Sequence, residues 1–235
     1  MVGGVSIRPR PVVEVKAIST PTPPAEIAPG IDYFFALRPD DRARAEIADA
    51  AARFRRAQRA SGVPVPIDNL HLLLCPMGRP ERLRQSPEHA LLAAGAAVRA
   101  HAFVVTLDTA MRCIPVGGQF PFVLCADPAA TEATLQLRKA IGEAQRAQGL
   151  RVSGVSSFHP HVALQHGPAI DAIEESVPPI QWRAEEFVLI RSFFGQSSHE
   201  VVGRWPLPRV PAPAPVDLLA ELANLPELPP LPDEP

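Results

Sequence analysis

The stretch NLHLLLCPMG (residues 69–78) decides the fold once it is set beside FHPHVALQHG (158–167). Each places one histidine, His71 or His161, at the head of a short apolar run, and such runs read as buried strands. Side chains alternate faces along a strand, so His71 and Leu73 share one face while Leu72 and Leu74 share the other. His161 and Ala163 pair up in the same way against Val162 and Leu164. If the two strands lie side by side, both imidazoles line one cleft. An imidazole titrates near pH 6.5, so one ring can take a proton from water or a hydroxyl while the other protonates a leaving oxygen. That is acid–base chemistry at phosphorus with no cofactor and no metal.

Outward from these strands, helices interrupt groups of strands. Strands are predicted at 32–37, 69–76, 103–113, 120–126, 159–165, 184–194 and 199–207. Helices are predicted at 39–62, 87–101 and 127–149, each opening near proline and an acidic residue. Gly117–Gly118 reads as the turn of a hairpin. The pattern is α+β, and the strand–helix–strand theme in both halves predicts a duplicated, two-lobed body over 30–207.

Proline marks the edges of that body. Residues 1–29 hold six prolines and residues 206–235 hold ten, so the segments 1–29 and 208–235 are predicted to be extended, disordered arms. Leucines at 218, 219, 222 and 225 give VDLLAELANL (216–225) a helical spacing, and either arm could engage a protein partner.

Composition excludes several classes. The net charge is −2, which gives no bulk attraction to nucleic acid or to anionic membrane. No apolar run is long enough to span a bilayer, and no secretory leader is expected, since the first residues show no apolar stretch behind their charges. Cys75, Cys113 and Cys125 are odd in number and lack a C-x-x-C spacing, which fits reduced thiols in a cytoplasmic protein.

The landmarks YFFALRPDDRARAEIADAAARFRR, VPIDNLHLLLCPMG, FHPHVALQHG and IQWRAEEFVLIRSFFGQSSHEVVGRWPL come in an order that resembles the 2H phosphoesterase superfamily. The closer resemblance is to the bacterial RNA 2′,3′-cyclic phosphodiesterases, also called 2′-5′ RNA ligases. It implies a bilobal fold with two antiparallel sheets flanking a central cleft, helices outside, and His71 and His161 as the catalytic pair. It implies as substrate an RNA 2′,3′-cyclic phosphate end or a small cyclic nucleotide, acted on by a monomer. The family motif carries Thr or Ser two residues after each histidine, where this chain has Leu73 and Ala163. Reduced turnover, or a binding protein that has lost catalysis, follows from that departure. Around the substrate the resemblance adds His166, where the family often has Arg, and His199, where it often has Tyr. His159, in phase with His161, completes the candidate contacts.

Two rival patterns are present. His159, His161 and His166 could be drawn as a zinc triad, but no carboxylate or cysteine follows at useful spacing. Arginines at 42, 44, 53, 55, 56 and 59 are mixed with acidic residues around their helix, which reads as a solvated face rather than an RNA-binding patch. No phosphate-loop or dinucleotide glycine motif occurs.

Overall fold

A computed structural model of the chain describes residues 30–57, 62–112, 120–152, 158–167, 174–193 and 198–209. The N-terminal arm, the tail beyond Arg209, the helix expected at 216–225 and the Gly117–Gly118 turn lie outside the described residues.

The elements run β1 (Ile31–Leu37), α1 (Asp41–Arg56), β2 (Val63–Pro64), a 3-10 turn (Ile67–Asn69), β3 (Leu72–Pro76), β4 (Arg79–Pro80) and α2 (Pro87–Ala97). They continue with β5 (Phe103–Arg112), β6 (Phe120–Ala126), α3 (Pro128–Ala147), β7 (Leu150–Arg151), β8 (His161–Gly167), β9 (Glu174–Ala184), β10 (Glu186–Phe193) and β11 (Ser198–Pro206). The α+β class is as the sequence predicts. Helix starts are fixed by side-chain caps: Asp40 accepts from the Ala43 backbone N–H at 2.7 Å, and Asp127 accepts from that of Ala130 at 2.6 Å. Each satisfies a donor that the first helical turn leaves without a partner.

The strands pair antiparallel in the order β11-β10-β1-β3-β8-β6-β5-β9, with β2 added to β8. Four strands on each side meet at β3 and β8, which touch at a single register pair, Leu72 opposite Val162. The two expected sheets are therefore joined edge to edge through the histidine strands.

The halves repeat one another in detail. β1-α1-β3 in the first corresponds to β6-α3-β8 in the second. Leu37 opposes Leu72 and Leu124 opposes Val162, and each first member lies three residues before its capping aspartate. Both histidine strands also bulge at the same place. Phe35 opposes Cys75 while Ala36 opposes Leu73, which leaves Leu74 extra; Phe122 opposes Gln165 while Val123 opposes Ala163, which leaves Leu164 extra. The bulges give Leu72–Pro76 and Val162–His166 one shared pattern of burial: buried, partly exposed, buried, buried, exposed.

The core lies on the helix side of the sheet, where Phe35, Leu72, Leu74, Phe122, Leu124, Val162 and Leu164 pack with Ile47 of α1 and Ile141 of α3. α1 rests on β8 and β9, and α3 on β3, so each repeat's helix crosses onto the other's strands. Gln145 of α3 is fully buried. It accepts from the Gly78 N–H at 2.8 Å and donates to the Pro76 carbonyl at 3.2 Å. Gln145→Leu keeps the volume but strands both backbone groups, and is expected to cost about 1–3 kcal/mol in urea unfolding.

Trp205 closes the far end of the sheet. Its ring stacks on Phe187 at 5.2 Å, and a Cβ at Gly95 would fall 2.4 Å from it, so α2 can approach only with glycine there.

One long strand is absent from the sequence expectation. β9 pairs with β5 alone and forms a sheet edge, and Pro178 and Pro179 fall where its register against β5 shifts and neither has a partner across the ladder.

Candidate functional site

Because Leu72 opposes Val162, the next residues along place His71 across from Ala163 and Leu73 across from His161. The two histidines are diagonal neighbours on adjoining strands, a relation that sets Cβ atoms about 7–8 Å apart or less. All four of these side chains are partly exposed, and the interleaved Leu72, Leu74, Val162 and Leu164 are buried. The alternation read from the sequence holds, and the strands lie side by side.

Each imidazole is held in the same way. His71 Nδ1 lies 2.7 Å from the Asn69 carbonyl oxygen, and His161 Nδ1 lies 2.6 Å from that of His159. A carbonyl only accepts, so both Nδ1 atoms carry the hydrogen and donate it. In the neutral rings Nε2 is thus left as a proton acceptor, in one orientation on both strands.

A cleft of about 260 Å³ opens beside His71, lined by the 63–66 segment with Asn69, His71, Ala163, His166 and His199; His161 stands next to it on the same face without lining it. His166 reaches this face because of the Leu164 bulge: unbroken alternation from His161 would have turned position 166 toward the core. His199 comes from β11 at the other side of the first lobe. Its ring lies edge-on to His71 at 5.4 Å between centroids, and Phe34 packs against both, 4.9 Å from His71 and 5.5 Å from His199. Among the described residues the buried Nδ1 of His199 finds no hydrogen-bond partner. His159 is exposed and serves His161 through its backbone; Leu73 shares the face but does not line the cleft.

Burial dominates the electrostatics. It pulls the His71 imidazole down to about 4, against the raising effect of its bond to the Asn69 carbonyl; His199, His161 and Arg38 lower it further. His161 is also lowered, chiefly by burial, with His159 and His166 adding to the effect and the His159 carbonyl opposing it. His199 is lowered by burial and by Arg38.

The fold has solved counterparts. LigT from E. coli superposes with a TM-score of 0.57 at 26% identity, covering 76% of this chain and 98% of LigT. LigT complexed with 3′-AMP superposes with a TM-score of 0.56 at 26% identity, over 75% of this chain and 96% of that one. TT0787 from Thermus thermophilus gives 0.58 at 23% identity, over 76% and 98%. The chain has the fold of the 2H phosphoesterase superfamily, to which these structures belong. No protein-family model and no curated protein sequence matches it.

In this fold the two histidine strands stand side by side at the centre of the large sheet. Arg38 was missed at the sequence level. It stands just past β1, one step beyond Leu37 and so across from His71, and shares a second hollow with it. No group of three or more His, Cys, Asp or Glu side chains suited to a metal ion occurs among the described residues.

A larger hollow, about 620 Å³, lies elsewhere, between the outer face of α1 and β9. Its lining is mainly the Arg-rich face, where Arg42 pairs with Glu46 at 2.8 Å. No imidazole lines it, and no described helix is long and apolar enough to cross a membrane.

Proposed function

We propose that the protein opens 2′,3′-cyclic phosphodiesters, on an RNA end or a small nucleotide, by acid–base catalysis between His71 and His161. The observation that carries the reading is the twin arrangement of Nδ1 on a backbone carbonyl two residues upstream, which leaves the Nε2 of each ring as the proton acceptor on two adjoining strands. LigT's capture of 3′-AMP in a crystal supports a nucleotide with a terminal phosphate as ligand.

The roles follow from the electrostatics. His71, down at about 4, is neutral at neutral pH and is the base. Its Nε2 takes a proton from water as the water oxygen attacks phosphorus. The bond from phosphorus to one ribose oxygen breaks, and protonated His161 delivers its proton to that oxygen. The product is the ring-opened monoester, and a second proton exchange with water restores both rings. A bound phosphodiester anion favours the protonated form of His161 against the lowering that burial imposes.

A second reading has its own support. Leu73 and Ala163 leave the cleft face without the hydroxyls that would steady charge on the phosphate oxygens, as in a relative that holds a nucleotide without turning it over. Purified protein incubated with 2′,3′-cyclic AMP in EDTA distinguishes the two. Release of AMP monoester is expected; tight nucleotide binding with no release selects the second reading.

A further inference from the structure

Arg38 stands across from His71 and belongs to neither histidine strand. Position 38 faces position 71, and position 71 faces position 163, so Arg38, His71 and Ala163 form one row across β1, β3 and β8. In the second repeat the position matching Arg38 is Cys125, opposite His161. The cation is thus present on one side of the pseudo-symmetric centre alone.

Its surroundings favour an anion. Arg38, Asn69, His71 and His199 line a hollow of about 140 Å³ that shares these last three residues with the cleft. The Arg38 guanidinium gives one N–H to the Asp68 backbone carbonyl at 3.1 Å. Among the described residues no carboxylate forms an ion pair with it, whereas its cationic neighbours are already matched: Arg44 with Asp41 and Arg204 with Glu186. Asp68 and Glu186 lie close enough to favour its charge, while Arg44 and Arg204 oppose it. A half-buried guanidinium with four further N–H donors and cations around it is a ready partner for a phosphate oxygen.

We propose that Arg38 binds the substrate phosphate, supplying from the β1 side the charge and the donors that Leu73 and Ala163 cannot. The substrate class this fits is a phosphate ester whose anion sits on the His71 side of the cleft, with the second histidine toward the leaving oxygen. The inference rests on the cleft being a nucleotide phosphate site.

The test is calorimetric binding of 3′-AMP to the full chain, alongside turnover of 2′,3′-cyclic AMP. Arg38→Ala and Arg38→Gln are expected to weaken 3′-AMP binding about tenfold to a hundredfold, with Arg38→Lys between them and the wild type. Arg151→Ala, on an exposed pair with Glu81, is expected to bind as the wild type does. The His71 titration followed by NMR provides a readout that folding damage would not mimic: it moves upward in Arg38→Ala and stays low in Arg38→Lys. Wild-type binding that survives Arg38→Ala unchanged overturns the assignment while leaving the cleft's function standing. A wild type that neither binds 3′-AMP nor turns over the cyclic nucleotide overturns both.

Discussion

Replacing His71 with alanine is expected to slow opening of 2′,3′-cyclic AMP by about 10²–10⁴, and His161→Ala to do the same. The double variant should be little slower than either single one, because proton removal and proton delivery serve one bond exchange. The pH profile separates the two roles. With His71 as base and its pKa down at about 4, kcat/KM should rise with pH through about 4 instead of 6.5. The alkaline limb belongs to His161, which is also lowered, so the optimum falls on the acid side of 6.5. Stability carries the same sign. A histidine whose folded pKa is depressed binds fewer protons folded than unfolded. Its contribution is fully present above about 6.5 and is lost as pH falls toward 4, up to about 3 kcal/mol. Urea midpoints should therefore fall between pH 7 and pH 4.5 in the wild type and change less in His71→Asn. A profile whose acid limb sits at 6.5 would remove His71 from the base role.

What the sequence disclosed about this site depended on period two. Alternation through LHLLL and HVAL placed His71, Leu73, His161 and Ala163 on one face, and the landmark order supplied the pairing of two distant strands. The same rule fails beyond the third residue of each strand, because a bulge costs one residue of phase and leaves no mark in composition. His166 therefore reaches the cleft by a route that alternation excludes. Arg38 was hidden for a different reason. It lies 33 positions from His71 in the chain, and its relevance comes from the β1–β3 register, which nothing local encodes. β9 was lost to Pro178 and Pro179, which argue against a central strand but are tolerated at the edge it occupies. The tautomers also needed coordinates: Asn69 and His159 act through their carbonyls, so their side chains gave no signal.

Leu73→Thr combined with Ala163→Thr is expected to raise the turnover of 2′,3′-cyclic AMP, by up to about 10²–10³. Both positions are partly exposed on the cleft face, Leu73 across from His161 and Ala163 across from His71. A hydroxyl at either site is a donor fixed by its strand before charge builds on the phosphate oxygens. Removing one such preorganised donor from an enzyme costs about 10²–10³ in rate, so installing one should recover part of that. Threonine suits a strand, and neither position is in the packed core, so folding should change little. The gain should come at Leu73 and Ala163 for different reasons. Ala163→Thr adds a donor on the wall of the cleft, whereas Leu73→Thr replaces apolar bulk across from His161, beside the cleft rather than in its lining. Rate should therefore rise in both single variants, while 3′-AMP affinity should improve more for Ala163→Thr, the position that lines the cleft. If Arg38 already supplies the missing charge, the threonine gain will be larger in Arg38→Ala than in the wild type, since the two devices then replace each other. Unchanged or lower rates with nucleotide binding intact would mean that these positions do not meet the phosphate, and that the loss of the motif hydroxyls is not what limits this cleft.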